Sequence, residues 1–419
     1  MSVRSLGTAA SGIDTMQTDL DTIGNDIANS ETDGFASQTA QFSDLLTEQL
    51  QPAGGAAGQT LASTNPSAIG AGDEVSAIET NFSAGAVTQT GIKSNVAIEG
   101  NGFLVVSQDG QTYYTLDGDL QIDSNGNLAT NSGGLVEGWT PGQPTTSPPT
   151  PLSVVVGSTG PPAQTQNVVL GGNLPSNATN PVTITTTMYD SLGDQVPVTL
   201  TLTPTAADTW SMQGTVTGAA QPLWTAPQTL VFGSGGQLAS INGTAVGTGQ
   251  TALAIETEPS NYAWTGATKP AIDFPAVGSE GAVTQFADDQ TIEVTSQDGN
   301  AAGTLESYSI GSDGVITGTY SNGDSQSLGT IALAQFANPD GLDDIGQTYF
   351  TPTVASGKAQ LGEPGTNGLG TLQGGAVEGS NVDLATELTD LIEAQTAYQA
   401  NTKVVDTTST VLTSLVEMS

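Results

Sequence analysis

The chain has 419 residues, with 42 Asp plus Glu against 5 Lys plus Arg and a formal net charge of −37. Such a surplus repels phosphate backbones and anionic headgroups, which excludes nucleic-acid binding. With no Cys and no His, disulfides, thiolate or imidazole zinc sites and every triad built on a histidine base are excluded too.

Length alone suggests two or three domains at roughly 150 residues each. Charged residues make up 11%, aromatics 5%, and there are 53 Gly. That texture favours a turn-rich β protein with a core of Val, Ile, Leu and Ala. No apolar run approaches the ~20 residues needed to span a bilayer, so no membrane insertion is expected. Arg4 is followed by no apolar stretch, because Asp14, Asp19 and Asp21 come too early for a secretory signal. The expectation is a chain that stays inside or leaves by a route reading no cleaved signal.

The first thirty residues carry an apolar seam. Leu6, Ala9, Ile13, Met16, Leu20, Ile23 and Ile27 recur in steps of three and four, the a/d pattern of a coiled coil. Thr8, Gln17, Asp21 and Asp26 fall off that seam. The helix should fade at Asn29-Ser30 and stop before Gly34. Residues 52–72, rich in Gly, Ala and Ser, read as a connector.

Strand-like runs follow. Phe103-Leu104-Val105-Val106 suits a buried strand, and Asn125-Gly126 is a hairpin turn. Asp117, Asp119, Asp123 and Asn125 could suggest a calcium loop, but the Gly and the closing acid of an EF-hand are out of place, so a hairpin end is the reading. Residues 141–151 form a Pro/Thr/Ser linker. Val196, Val198, Leu200 and Leu202 then alternate as a half-buried strand, and Leu230-Val231-Phe232 forms another. A second break is expected from Lys269-Pro270 to Pro275. Further strands are punctuated by Asp298-Gly299, Asp313-Gly314 and Asn322-Gly323.

The last forty residues return to helix. Ser380 with Asp383 resembles a capping box. Leu384, Leu391, Tyr398, Val405 and Leu412 recur every seven residues, with Leu388, Ala394, Leu415 and Val416 beside them. Thr407 to Thr410 is a poor helix former, so this helix should need a partner.

The fold class expected is therefore mainly β and multidomain, with long terminal helices forming a coiled-coil-like inner domain. The β domains are expected to be nested: 1–30 with 380–419 as the helical domain; 31–72 with 362–379 as extended connector; 73–147 with 285–361 as a middle β domain; 148–284 as an inserted outer one. Nesting brings both chain ends together. No catalytic motif is present: Gly100-Asn101-Gly102-Phe103 precedes a strand and lacks a third Gly, and there is no G-x-S-x-G or P-loop. No enzyme, cofactor or metal is expected. A secreted adhesin would share the β texture but has no use for apolar seams at both ends.

Leu20 to Asn29, containing Gly24, Asn25, Ile27, Ala28 and Asn29, and then Thr32-Asp33-Gly34-Phe35, resemble the N-terminal signature of bacterial flagellar axial proteins. Ser380, Asn381, Val382, Asp383 and Leu384, followed by Ala394-Gln395 and Tyr398-Gln399, resemble the matching C-terminal end. Asn95 to Phe103 is similar to a segment shared by rod and hook members. Phe336-Ala337-Asn338-Pro339-Asp340-Gly341-Leu342 and Met188 to Gly193 are similar to the hook branch. The resemblance implies a subunit exported through the flagellar type III apparatus and polymerised into a curved hollow tube, a universal joint between motor and filament. Partners it implies are copies of itself, the rod, a hook cap and the hook–filament junction proteins. A distal rod or hook-associated subunit is the alternative. Thr396 stands where relatives often carry Arg, Leu116 where Tyr-Thr-Arg is common, and Asp26 where Asn is frequent.

Overall fold

The computed structural model describes residues 2–51, 67–219, 221–247, 249–257, 262–264 and 269–418. Helix α1 spans Ser2–Ala28 and α2 spans Leu384–Glu417. At 1.5 Å per residue α2 is a rod of about 51 Å. Among the described residues no helix is long and apolar enough to cross a membrane.

α1 ends where Asn29 takes over. Its N–H donates to Asn25 and Asp26 carbonyls, its Nδ2 donates to the Asn25 carbonyl at 2.9 Å, and Gly34 turns the chain at φ +68. The start of α2 differs from the expected capping box. Asp383 alone caps it, its carboxylate accepting the Ala385 N–H at 3.0 Å, while the Ser380 hydroxyl accepts the Val382 N–H at 3.3 Å. Asp383 itself is extended, at φ −92 and ψ 98, and the Asn381 side chain before it is engaged elsewhere, as shown below. The Thr407–Thr410 run is helical all the same. Thr407 and Thr410 hydroxyls donate back to the Val404 and Asp406 carbonyls at 3.0 and 2.9 Å, a local bond that helical threonines can make.

The chain divides into two compact units. The first holds 1–155, 308–317 and 327–419; the second holds 156–307 and 318–326.

In the first unit Gln38–Asp44 pairs antiparallel with Asp73–Thr80, and Glu48–Gln51 with Ser67–Ile69. The described part of the 31–72 connector is thus largely hairpin, and 52–66 lies outside the described residues. The expected connector at 362–379 is also strand. Thr371–Gly374 pairs with Val96–Glu99, and Ala376–Glu378 with Val87–Gln89. Its glycines serve close backbone approach: a Cβ on Gly374 would stand 2.5 Å from the Ile310 carbonyl oxygen.

The strand Phe103–Gln108 is central, flanked by Gln111–Thr115 on one edge and by Leu135–Trp139 and Leu333–Gln335 on the other. Both of its faces are covered, which is why its sequence is a continuous apolar run. On one face Phe103, Val105, Tyr114, Trp139, Phe336 and Phe350 form a core cluster, with Tyr114 edge-on to Phe336 at 4.9 Å. Residues 141–151 are folded onto this sheet instead of bridging domains. Thr150–Pro151 pairs with Leu135–Trp139, and the Trp139 indole N–H donates to the Ser147 carbonyl at 2.9 Å. Prolines fit there because an edge strand can spare its N–H groups.

The second unit contains a six-stranded antiparallel sheet ordered by sequence from Val182–Tyr189 to Thr244–Ala245. Val196, Val198, Leu200 and Leu202 point inward along Gln195–Ala206. A smaller sheet centres on Asn167–Asn173. The expected break at 269–275 holds a buried strand, Ala271–Phe274, parallel to Asn167–Asn173. Its apolar residues fill the core, and the prolines only bracket it. Glu293–Gln297 pairs antiparallel with the same central strand. The boundary placed at 284/285 therefore moves, because 285–307 compacts with the second unit.

Candidate assembly site

α1 and α2 lie antiparallel. Ser5 Oγ is 3.5 Å from Thr408 Oγ1, and Gly12 faces Asn401, whose Nδ2 would lie 2.6 Å from a Cβ placed there. Further along, Asp26 and Asp19 lie in the electrostatic field of Glu387. Gly12, with no side chain of its own, leaves room for the Asn401 side chain at the middle of the pair.

The apolar seam of α1 is half-covered. Leu6, Ile13, Met16, Leu20 and Ile27 are partly buried, and Ala9 and Ile23 are buried. On α2 the face turned inward runs through Leu391, Ala394, Tyr398, Val405, Thr408 and Leu412, of which Ala394 and Thr408 are buried and the rest half-buried. Within this single pair the N-terminal end of the α2 seam is left uncovered. Leu384 and Leu388 remain 45% and 50% exposed, and Glu387 occupies the inward position instead. The side chain of Leu415 lies outside the described residues. Ile392, Val404 and Val411 add to the apolar surface that α2 leaves in solvent. A single helical pair thus leaves apolar rows uncovered on α2.

The other flank of α1 is covered by the hairpin at 38–80. Ser11 and Thr15 hydroxyls donate to the two Asp73 carboxylate oxygens at 3.3 and 3.0 Å. Asp26, expected off the seam, is fully buried here. Its Oδ2 accepts the Gln38 N–H at 2.8 Å, and its Oδ1 has no partner. Burial pushes its carboxyl up to about 6, against the lowering effect of the Gln38 bond. Burial also raises Asp19, with the Asp390 charge adding, and raises Glu387, with Asp26, Asp390, Asp19 and Asp383 adding. The helical pair holds a run of carboxylates that disfavour one another's charge.

Among the signature residues, Gly34, Phe35 and Asn381 build the junction where the segments after α1 and before α2 meet. Asn381 is its latch. Its Oδ1 accepts the Ser37 N–H at 2.8 Å, and its Nδ2 donates to the Asn81 and Ser83 carbonyls at 2.7 and 2.9 Å. Gly34 donates its N–H to the Glu378 carbonyl at 2.8 Å. A Cβ on Gly34 would fall 2.4 Å from the Asp117 nitrogen, so both its positive φ and its packing require glycine. The buried Glu378 carboxylate accepts the Gly85 N–H at 2.8 Å, and burial raises its pKa. Burial also pushes Asp117 up to about 6, with the Asp119 and Asp33 charges adding to it. Phe35 is half-buried beside the latch, its carbonyl accepting the Asn381 N–H at 3.4 Å. Val382 is half-buried; Gly24, Asn25 and Ala28 are exposed.

Sequence reasoning set Asp26 off the seam and passed over Asp73 and Glu378. Only Glu378 had a local signal, an acid directly after the apolar pair Ala376-Val377. The arrangement presents apolar helix surface and a hydrogen-bonded junction. Among the described residues no group of three or more acids is placed to hold a metal ion.

Three family models match in sequence. They are the flagellar basal body rod FlgEFG protein C-terminal region over 373–418, the flagellar hook protein FlgE/F/G D1 domain over 97–186, and the flagellar basal body protein FlaE D2 domain over 165–300. The chain is 32% identical to the flagellar hook protein FlgE of Borreliella burgdorferi, with 99% of each chain covered. It is 31% identical to that of Treponema pallidum, again over 99% of each, and 32% identical to that of Salmonella typhimurium, over 99% of this chain and 100% of the other. A crystal structure of Helicobacter pylori flagellar hook protein FlgE2 aligns at 12% identity and a TM-score of 0.49, covering 70% of this chain. With relatives above 30% identity along nearly its whole length, this chain belongs to the flagellar hook protein FlgE family.

Proposed function

We propose that the chain is the structural subunit of the flagellar hook, self-assembling into a curved hollow tube that transmits torque from motor to filament. In this reading α1 and α2 line the inner tube as a coiled-coil-like layer, and the nested β units lie outside it. The subunit leaves the cell through the flagellar export apparatus without a cleaved signal, and meets the rod, a hook cap and the junction proteins at its ends. The seam residues Leu6, Ile13, Met16, Leu20, Ile23, Ile27, Leu384, Leu388, Leu391, Tyr398, Val405, Leu412 and Leu415 are its assembly residues. It is not an enzyme.

The observation that carries the reading is the apolar surface left on α2, where Leu384, Leu388, Ile392, Val404 and Val411 are each more than 40% exposed. Such rows on a helix already paired once call for further helices beside it. Electron microscopy of the purified protein under polymerising conditions tests the proposal. Curved hollow tubes are the expected result, and monodisperse particles under every condition would overturn it.

A further inference from the structure

The Asn338-Pro339-Asp340-Gly341 motif takes no part in the helical pair or its latch. Its 3-10 turn, Pro339–Gly341, instead backs the loop at 352–359. Asn338 donates its N–H to the Ser356 carbonyl at 3.4 Å and its Nδ2 to the Ala355 carbonyl at 3.2 Å. The Gly341 carbonyl accepts the Thr353 hydroxyl at 2.5 Å, and a Cβ on Gly341 would stand 2.5 Å from the Ser356 nitrogen. Within the loop, the fully buried Ser356 accepts the Thr353 N–H at 2.9 Å. Thr353 Oγ1 in turn accepts the Ala355 N–H at 3.0 Å.

These bonds hold up one side chain. Val354 is 104% exposed, the highest value among the exposed large apolar residues described. Four residues on is Lys358, one of only 5 basic residues in the chain. It is exposed and makes no ion pair among the described residues. Both border an open concavity also lined by Pro352, Gly357 and Ala359.

Folding gains nothing from a valine left in solvent, yet the loop is tied on either side of it, at Thr353, Ala355 and Ser356. A loop already ordered loses little entropy when it docks. We propose that 352–359 is a contact knob for a second copy of this chain, with Val354 entering an apolar site and Lys358 meeting a carboxylate. The proposal rests on the self-assembly reading and adds to it the residues of one contact. Charge selects the occupant. A copy with a net charge of −37 presents carboxylates widely, so a lone exposed lysine is attracted to its surface. A knob meeting a different surface is a heterologous contact, the kind that generates helical filaments.

Two measurements test it. First, 15N-labelled and unlabelled full-length subunits are mixed, polymerised and treated with a carbodiimide that joins amines to carboxylates in contact. Cross-linked Lys358 peptides of hybrid isotope mass are expected; Lys358 links confined to one copy, or absent while other links form, would overturn the knob. Second, V354S/K358S should raise the critical concentration for polymerisation about ten-fold or more. Its monomer melting should stay unchanged, since both side chains are exposed. K358Q alone should weaken assembly less. Critical concentrations equal to the parent's would reject the proposal while leaving self-assembly standing. Failure of the parent chain itself to polymerise would instead remove the reading beneath it.

Discussion

Changing Asp26 to Asn should stabilise the terminal helices at neutral pH. The carboxyl is fully buried, with one oxygen bonded to the Gln38 N–H and the other without a partner. Its rise from 3.8 to about 6 corresponds to about 3 kcal/mol at ~1.4 kcal/mol per unit. The carboxylates around it are partly solvated, and screening through them brings the usable figure to about 1–2 kcal/mol. Asparagine keeps an acceptor for Gln38 and drops the charge. Its NH2 takes the place of an oxygen that already lacks a partner, a roughly even exchange.

The pH dependence separates charge from packing. Because the folded-state value lies above the ordinary one, the folded chain binds more protons than the unfolded chain between 3.8 and about 6. The parent's stability therefore falls as pH rises through that window. The penalty is absent below it and complete above it, and Asp117, also pushed up to about 6, acts in the same direction. Carboxyls held below their ordinary range, such as the cap Asp383, lose their contribution only at more acid pH. Urea unfolding followed at 222 nm, where α1 and α2 dominate, should show the Asn variant ahead by about 0.5–1 M in midpoint at pH ~7.5. The gap should close near pH ~4. A variant less stable at neutral pH, or a gap of equal size at both, would refute the reasoning.

Leu20→Asp or Leu391→Asp places a charge in the half-buried seam beside Asp19 and Asp390, at several kcal/mol per subunit; tube formation should fail in sedimentation assays while the β units melt normally, and normal tubes would disprove the seam. Added salt should strengthen polymerisation, because repulsion between copies is screened within about 10 Å at 0.1 M; turbidity growth fastest at low salt and neutral pH would point to ion pairs instead. Replacing 157–304 with a short Gly/Ser loop joins points already adjacent, since Gly157 N–H bonds the Leu305 carbonyl at 2.9 Å. Those tubes should form but lose their supercoil, and unchanged curvature in micrographs would place its determinant in the first unit.

Elements whose cause is local were readable in the sequence. α1 follows from seven apolar residues in steps of three and four, and Gln195–Ala206 from strict alternation at Val196, Val198, Leu200 and Leu202. What escaped was set by partners far along the chain. Ala376–Glu378 sits in a Gly-rich stretch that reads as connector, yet it pairs with Val87–Gln89. Ala271–Phe274 was hidden by prolines at either end, because the strand to which it pairs lies a hundred residues earlier. The signature residues were recognised by resemblance, but nothing near Asn381 announces that its amide clasps the Asn81 carbonyl, 300 positions away. Asp26 misled because a helix has two flanks, and a seam on one says nothing of a hairpin on the other.

A bending joint must shorten along one side and lengthen along the other while its subunits stay bound. The glycines at 362–380 invite a hinge between α2 and the β structure, but the structure pins that stretch. Thr371–Gly374 pairs with Val96–Glu99, Ala376–Glu378 pairs with Val87–Gln89, and Asn381 bonds to three backbone groups beyond them. Opening this joint breaks several bonds in concert, a cost that sliding one copy past another does not carry. Compliance should therefore lie between copies. A disulfide can ask the question cleanly, because the chain has no cysteine of its own. Glu99 and Thr371 are directly opposed, and opposed residues of an antiparallel pair stand about 4.5–5.5 Å apart at Cα, within reach of a disulfide. E99C/T371C tubes, oxidised and reduced, should show the same distribution of curvature in micrographs. Tubes that straighten on oxidation and recover on reduction would put the hinge inside the subunit, at the strand joint the structure shows closed.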